Sequence, residues 1–195
     1  MERIKLEIKR QPFHILLGLL LIALIYHDIL KPIGLLIAII VVIIGSFFLK
    51  KTKPKIAYKI LGFIERKDAL EKFPGKGLIA YLIGSLLALV LFEKDIAMAA
   101  IIILALGDSF SRLMGPFGKI KHPFNDKKFL EGVIAGMVAA ALGAMLLVKP
   151  LEAIAASFFA MLLEGINLKL FKFKIDDNIT IPVIAGFVIW LIRLL

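Results

Sequence analysis

The sequence predicts an all-α fold: a polytopic transmembrane helix bundle of about seven spans, with its N-terminus in the cytoplasm. Three observations lead to this prediction. Hydrophobic residues make up 61% of the 195 residues, against about half in soluble domains, and the mean hydropathy is +0.95. Apolar segments of near-spanning length alternate with polar ones. The basic residues are concentrated in alternate polar segments.

A helix needs about 20 apolar residues to cross about 30 Å of hydrocarbon, and about 17 can suffice. The third, fourth and sixth apolar segments are short, which we expect of helices buried among neighbours or of a segment that dips into the bundle. The third and fourth are divided only by Glu93, Lys94 and Asp95, which predicts a tight turn. The predicted spans are 13–27, 32–49, 78–92, 95–106, 129–148, 151–166 and 179–194.

The basic residues predict the orientation of the bundle. With the N-terminus inside, the inner segments are 1–12, 50–77, 107–128 and 167–178, and they hold 21 of the 25 Lys and Arg residues. This bias is the positive-inside signature of a multi-pass protein, in the cell membrane of a prokaryote or the endoplasmic reticulum of a eukaryote. The remaining basic residues, in the outer segments, are Lys31, Lys94, Lys149 and Arg193.

Composition limits the organisation and the partners of the chain. Its length predicts a single membrane-embedded domain, 1–195, and the absence of Cys excludes disulfides and thiolate zinc sites. The N-terminal MERIKLEIKR predicts an amphipathic lead-in to the first span, not a cleaved signal peptide. The net charge of +10 favours anionic lipid headgroups or phosphates as partners; nucleic acid is not expected. A homo-oligomer is left open.

The segment 53–66 alternates apolar and basic residues at near-helical spacing. It is interpreted either as an interfacial helix on anionic headgroups or as a contact with a phosphorylated substrate.

The polar loop 107–132 combines three kinds of group that bind a magnesium nucleotide. Carboxylates hold Mg²⁺, lysines supply point charges for phosphate, and glycines let backbone N–H groups approach an anion. Glu131 and Gly132 also have structural interpretations, as a favourable charge at a helix N-terminus and as a close helix contact. The candidate residues of this loop are Asp108, Ser109, Ser111, Gly115, Gly118, Lys127, Lys128, Glu131 and Gly132.

Polar residues elsewhere fall on the same predicted side of the membrane. Asp176 and Asp177 either favour the dipole of the last helix, with Asn178 as its cap, or join Asp108 around a metal ion. Glu164 lies near the inner end of the sixth span, where an acid is costly unless it is paired or used. His14, one turn after Arg10, is either an interfacial hydrogen-bonding group or a catalytic one.

The polar loop also follows an extended motif: Asp108-x-x-Ser111-x-x-x-Gly115-x-x-Gly118, eight residues, then Lys127-Lys128-x-x-Glu131-Gly132-x-x-Ala135. The motif resembles the CTP-binding signature of the CTP-dependent lipid kinases, a family that includes dolichol kinase, phytol kinase and CTP-dependent diacylglycerol kinase. That signature reads DxxAxxxGxxxG and then KKTxEGxxA. Here Ser111 replaces an alanine, the two glycines lie one residue closer, and Phe129 stands where threonine is usual.

Three further segments resemble the same family in the same order. They are Glu7-x-x-Arg10-x-x-x-His14, Pro74-Gly75-Lys76-Gly77, and Asp177-Asn178-x-x-Ile181-Pro182 with Glu164 upstream.

The resemblance implies phosphorylation of a membrane lipid alcohol of dolichol or polyprenol type by CTP, giving a lipid monophosphate and CDP at the cytoplasmic face. It implies Mg²⁺ or a similar cation as cofactor, with Asp108, Glu131 and Asp177 as catalytic or metal-binding residues. The implied nucleotide-binding residues are Ser111, Gly115, Gly118, Lys127, Lys128, Gly132, Lys76 and Asn178. Arg10, His14 and Glu164 are implied as supporting residues.

Two alternatives stay open at this point. The first is a CTP:lipid-phosphate cytidylyltransferase, although its K-D and D-R-x-D elements are not visible in the sequence. The second is a non-enzymatic transporter or lipid-binding protein. A transporter predicts broken helices and polar groups near the midplane, whereas the spans here are almost purely aliphatic at their centres.

Overall fold

The computed structural model describes residues 2–65, 67–123, 125–165, 169–170, 173–174 and 176–195. Helices account for most of these residues, so the helical fold class is confirmed. The helices are α1 (Glu2–Tyr26), α2 (Pro32–Thr52), α3 (Lys55–Ile64), α4 (Lys67–Lys72), α5 (Lys76–Leu91), α6 (Lys94–Ile102), α7 (Ser109–Met114), α8 (Leu130–Ala144), α9 (Pro150–Gly165) and α10 (Asp177–Leu194).

Two short antiparallel hairpins complete the described chain. Strands β1 (Lys121–His122) and β2 (Asn125–Phe129) pair before α8, and β3 (Lys169–Leu170) pairs with β4 (Phe173–Lys174) before α10. The predicted inner segment 167–178 lies in part outside the described residues.

Four helical segments are long and apolar enough to cross a membrane: Leu6–Tyr26, Pro32–Thr52, Lys94–Phe117 and Asp177–Leu194. Lys76–Leu91 and Leu130–Ala144 are shorter apolar helices, and α9 has 16 residues. Each predicted span thus corresponds to a helix, while the number of spans and their orientation stay predictions.

The segment Lys94–Phe117 forms the centre of the bundle. In its most apolar window 78% of residues are buried, against 22% in α1 and 17% in α2. Small side chains allow this central position: Ala97, Ala99 and Ala100 are fully buried. Neighbouring helices approach closely at glycines, since a Cβ on Gly18 would lie 2.5 Å from that of Ala105. The predicted short fourth span is therefore the most enclosed helix, as a short buried span requires.

The predicted loop 107–128 is wrong in its first half. The helix does not stop at residue 106: it continues through a π-helical segment, Ile103–Asp108, into α7 and a 3₁₀ turn, Gly115–Phe117. A π-helical segment adds a residue to one turn and often occurs at functional sites. Asp108 is consequently buried within a continuous helix, and is not at a solvated helix end.

The predicted helical segment 53–66 corresponds to α3, and the short helix α4 follows it. After α4 the chain turns at Gly75, whose φ of +82° lies in the left-handed region that glycine adopts without strain. The Gly75 N–H donates to both carboxylate oxygens of Glu65, at 3.0 and 2.9 Å. This contact joins α3 to the start of α5.

Candidate functional site

One end of the bundle collects polar and charged side chains from six separate elements. They are His14 of α1, Asp108 of the π-helical segment, Ser111 and Arg112 of α7, Lys128 of β2, Glu164 of α9 and Asp177 of α10. We call these seven residues the inner cluster. Because the chain crosses the bundle repeatedly, residues as distant in the sequence as His14 and Asp177 lie at the same end.

Three carboxylates form the acidic part of the inner cluster. Asp108, Glu164 and Asp177 each offer an oxygen, and these three atoms lie within 4.8 Å of one another. Asp108 is 1% exposed and Glu164 3%. Opposite ligands in an octahedral Mg²⁺ site are about 4.2 Å apart, twice the usual Mg–O distance. The donor type and spacing therefore fit a hard divalent cation after a small inward shift.

Two cations lie between the carboxylates. Arg112 Nε donates to Asp108 Oδ1 at 2.6 Å, and Arg112 Nη2 lies 3.7 Å from Asp177 Oδ2. Lys128 Nζ donates to a Glu164 carboxylate oxygen and to the Glu164 carbonyl oxygen, the latter at 2.7 Å. It also lies 3.6 Å from Asp177 Oδ2. Asp177 thus contacts both cations and links the two ion pairs into one network.

The network has a chemical consequence. Burying a charge is costly unless it is paired, and here three carboxylates face two fixed cations. A divalent ion can take over the carboxylates, which frees the ammonium of Lys128 and the guanidinium of Arg112 for phosphate oxygens. These are the groups that phosphate recognition uses, as a point charge and a planar fork respectively.

His14 lies behind Asp108. Its Nε2 is 3.5 Å from Asp108 Oδ2, and its ring packs edge-on against Tyr81 at a centroid distance of 4.6 Å. Within the described part of the chain, His14 Nε2 and the Tyr81 hydroxyl are buried without a hydrogen-bond partner. Unpaired buried polar atoms are uncommon and costly.

Ser111 contacts the acidic part of the inner cluster, and Asn178 follows Asp177 in α10. Ser111 Oγ donates to Glu164 Oε2 at 3.2 Å. Asn178 Nδ2 is 3.4 Å from the Gly77 carbonyl oxygen, whereas Asn178 Oδ1 is buried and unpaired among the described residues. Asp176 caps α10 by accepting the Asn178 N–H at 3.1 Å. The prediction that Asn178 caps this helix is therefore wrong, because Asp176 is the cap. Asp177 joins the cluster.

The glycines of the predicted phosphate loop have packing roles in this structure. Gly132 lies against α7, where an added Cβ would be 2.7 Å from both Gly115 Cα and the Ser111 carbonyl oxygen. A Cβ on Gly118 would be 2.5 Å from that of Phe129. Both Gly115 and Gly118 have negative φ, −49° and −70°. These contacts set the distance between α7 and α8.

Three other predicted residues, Glu131, Lys76 and Arg10, lie outside the inner cluster. The Glu131 carboxylate accepts the backbone N–H groups of Lys119 and Ile120, at 2.8 and 3.1 Å. Lys76 is exposed in the first turn of α5. Arg10 pairs with Glu7 at 3.1 Å. The side chain of Lys127 is outside the described residues, and its backbone belongs to β2.

Sequence reasoning misses Arg112 and Tyr81. Arg112 follows Asp108 by four residues, a spacing that brings two side chains together on one helix face. That signal is visible only if 107–117 is treated as helix and not as loop. Tyr81 has no such signal, because its contact with His14 joins α5 to α1.

His122 of β1 lies beside the inner cluster. Its buried ring packs against Gly165 at the end of α9. Burial, together with the positive charge of Lys128, lowers the pKa of His122. His122 therefore stays neutral near pH 7 and leaves Lys128 as the cation on this side of the site.

An archaeal protein resembles the chain over nearly its whole length. It is the uncharacterized protein MJ1137 of Methanocaldococcus jannaschii, 31% identical over 187 residues that cover 94% of this chain and 92% of that protein. The chain belongs to the MJ1137 family. The match extends over nearly the whole chain, so the similarity includes all the helices of the bundle and not one loop alone.

No family model matches the chain, and no solved structure matches it. Since the name of MJ1137 states no activity, function is argued from the inner cluster.

Proposed function

We propose that the chain is a divalent-cation-dependent lipid kinase that transfers the γ-phosphoryl group of CTP to a membrane lipid alcohol. The observation that carries this proposal is the inner cluster itself: carboxylates from three helices within 4.8 Å of one another, with two cations between them. Phosphoryl transfer depends mainly on positioning and charge stabilisation, and this set supplies groups for both.

Each residue of the inner cluster, together with Asn178, has a role in this proposal. Asp108, Glu164 and Asp177 would hold Mg²⁺, and the bound ion would supply charge stabilisation to the phosphate oxygens. Lys128 and Arg112 bind phosphate oxygens. The lipid hydroxyl attacks the γ-phosphorus, the bond from that atom to the β,γ-bridging oxygen breaks, and CDP leaves. His14 Nε2 accepts the proton of the attacking hydroxyl. Ser111 and Asn178 orient the nucleotide.

The location of the site supports a lipid acceptor. The inner cluster lies at the end of the bundle that the positive-inside bias assigns to the cytoplasm, where CTP is available. Apolar helix surfaces surround it, so a lipid alcohol reaches it with its tail in the bilayer. The choice of CTP over other nucleotides rests on the resemblance of the 108–135 motif.

A labelling experiment tests the proposed reaction. Purified protein is incubated with Mg²⁺, a polyprenol and CTP labelled at either the γ- or the α-phosphate. We expect γ-label on the lipid and α-label in CDP. A cytidylyltransferase, assayed with a lipid phosphate, would instead leave the α-label on the lipid and release the γ-label in pyrophosphate. Label in neither lipid product with any alcohol or lipid phosphate would contradict both activities.

A further inference from the structure

An apolar groove runs along the outside of the bundle between α9 and α10. It has a volume of about 590 Å³, and Leu91 of the last turn of α5 and the adjoining Phe92 also line it. Its walls include Phe92, Phe159, Leu163, Val183, Phe187 and Trp190. Phe92 forms part of the floor: its ring lies against Gly186, where any Cβ would collide with it. The missing side chain of Gly186 thus makes room for Phe92 between the helices.

The groove belongs to the same two helices that supply part of the inner cluster. Leu163 immediately precedes Glu164 on α9, and Val183 lies six residues after Asp177 on α10. At 1.5 Å per residue, Val183 is about 9 Å and Trp190 about 20 Å from Asp177 along the helix axis. The groove therefore extends from below the inner cluster towards the opposite end of the bundle.

Other lipid-facing surfaces differ from this groove. The exposed face of α2 carries aliphatic side chains such as Ile37, Val41 and Ile44, and α2 contributes no residue to the inner cluster. The α9–α10 groove has aromatic walls, with the rings of Phe187 and Trp190 5.7 Å apart. Aromatic side chains provide large, stiff apolar contact areas.

We propose that this groove binds one hydrocarbon chain of the acceptor lipid, with the hydroxyl end of that lipid at Glu164 and Asp177. This inference rests on the proposed function for the identity of the lipid as an alcohol. A single groove fits a lipid alcohol whose one long chain lies along α10, and the tail contacts position the hydroxyl at the inner cluster.

Trp190 permits a binding test that needs no catalysis, since it is the only Trp in the sequence. The protein is placed in nanodiscs with a long-chain alcohol brominated about 20 Å from its hydroxyl, the separation of Asp177 and Trp190. We expect saturable quenching of Trp190 fluorescence that excess unlabelled alcohol reverses. Quenching that rises linearly with mole fraction, as with a phospholipid brominated at equal depth, would overturn the proposal.

Substitutions at the groove separate its failure from failure of the proposed activity. Val183→Phe fills the groove and Phe187→Ala removes a wall, so each should weaken the saturable quenching about tenfold. Val41→Phe on α2 is the matched control, and it should leave the saturable quenching unchanged. If CTP-dependent activity is present and the quenching is unsaturable, only the groove is contradicted. If saturable quenching occurs without any phosphoryl transfer, only the proposed function is contradicted.

Discussion

Arg112 Nε lies 2.6 Å from Asp108 Oδ1, one helical turn away at the end of the most buried helix, where the Asp108 side chain is buried and that of Arg112 is 23% exposed. The guanidinium also faces Asp177 at 3.7 Å, so it links the π-helical segment to the start of α10. Asp108 can be charged at this depth because Arg112 compensates it.

Asp108→Asn should abolish most of the proposed activity and weaken metal binding. The amide removes the negative charge that a hard cation requires, so we expect at least about a tenfold loss of CTP-dependent phosphorylation and of Mn²⁺ affinity. Electron paramagnetic resonance of Mn²⁺ measures the second quantity without catalysis. Asp28→Asn is the matched control, because Asp28 pairs with Lys94 at the opposite end of the bundle. Unchanged activity and Mn²⁺ binding in Asp108→Asn would contradict the proposed site.

Arg112→Ala should destabilise the bundle, because it leaves the buried Asp108 carboxylate without its main partner. Removal of one partner from a buried pair costs about 3 kcal/mol. The double substitution Asp108→Ala with Arg112→Ala should recover part of this loss, since no charge is then left uncompensated. Reversible unfolding in detergent measures both. Equal destabilisation by the single and double variants would contradict the pairing.

Glu131→Gln should have a much smaller effect than Asp108→Asn. The Glu131 carboxylate accepts the N–H groups of Lys119 and Ile120, and a glutamine oxygen can accept them as well. We expect activity within about threefold of the native protein, the loss of one charge-assisted hydrogen bond being modest. Hydrogen exchange at the Lys119 and Ile120 amides should increase moderately. A loss of activity as large as that in Asp108→Asn would contradict this expectation and indicate that Glu131 is catalytic.

Gly132→Ala should separate α7 from α8. The new Cβ would lie 2.7 Å from Gly115 Cα and from the Ser111 carbonyl oxygen. These are backbone atoms, so they can move away only if α7 itself shifts. Overpacking of this kind costs about 1–3 kcal/mol, and displacement of Ser111 should also reduce activity. Gly45→Ala on α2 is the control, because a Cβ there meets nothing within 4 Å. Thermal unfolding compares the two variants, and equal stability would contradict the close helix contact.

The absence of native Cys allows the predicted orientation to be tested directly. Lys149→Cys should react with a membrane-impermeant maleimide in intact cells, whereas Lys121→Cys should react only after permeabilisation, because the two residues are assigned to opposite sides. The reverse pattern would invert the topology and place the inner cluster outside.

The helical fold could be predicted because hydrophobic segments report directly on helices in a bilayer. The seven predicted spans fall on seven helices. Their boundaries differ from the predicted ones, most clearly at Asp108. Asp108 was expected at a helix end because a charged residue after an apolar run normally marks an interface. The structure extends the helix past it, since Arg112 compensates its charge and Gly107 and Gly136 let α8 pack closely.

The candidate site was predictable only in part. Asp108, Lys128, Glu164 and Asp177 were selected from residue type and predicted side of the membrane, and all four lie in the inner cluster. Arg112 was missed because its contact with Asp108 requires a helical backbone, and the polar composition of 107–117 led to the prediction of a loop there. Glu131 fits the motif equally well, yet its carboxylate accepts the backbone N–H groups of Lys119 and Ile120 and does not face the inner cluster.

The sequence by itself determined that this chain is a helical bundle with its chemistry-bearing residues at one predicted face, because burial in a bilayer and charge bias act on each segment separately. Only the tertiary structure decided which of those residues meet, since the distances among Asp108, Glu164 and Asp177 depend on how three helices far apart in sequence pack. The same packing, through Gly186 and Phe92, decided that a groove lies beneath them.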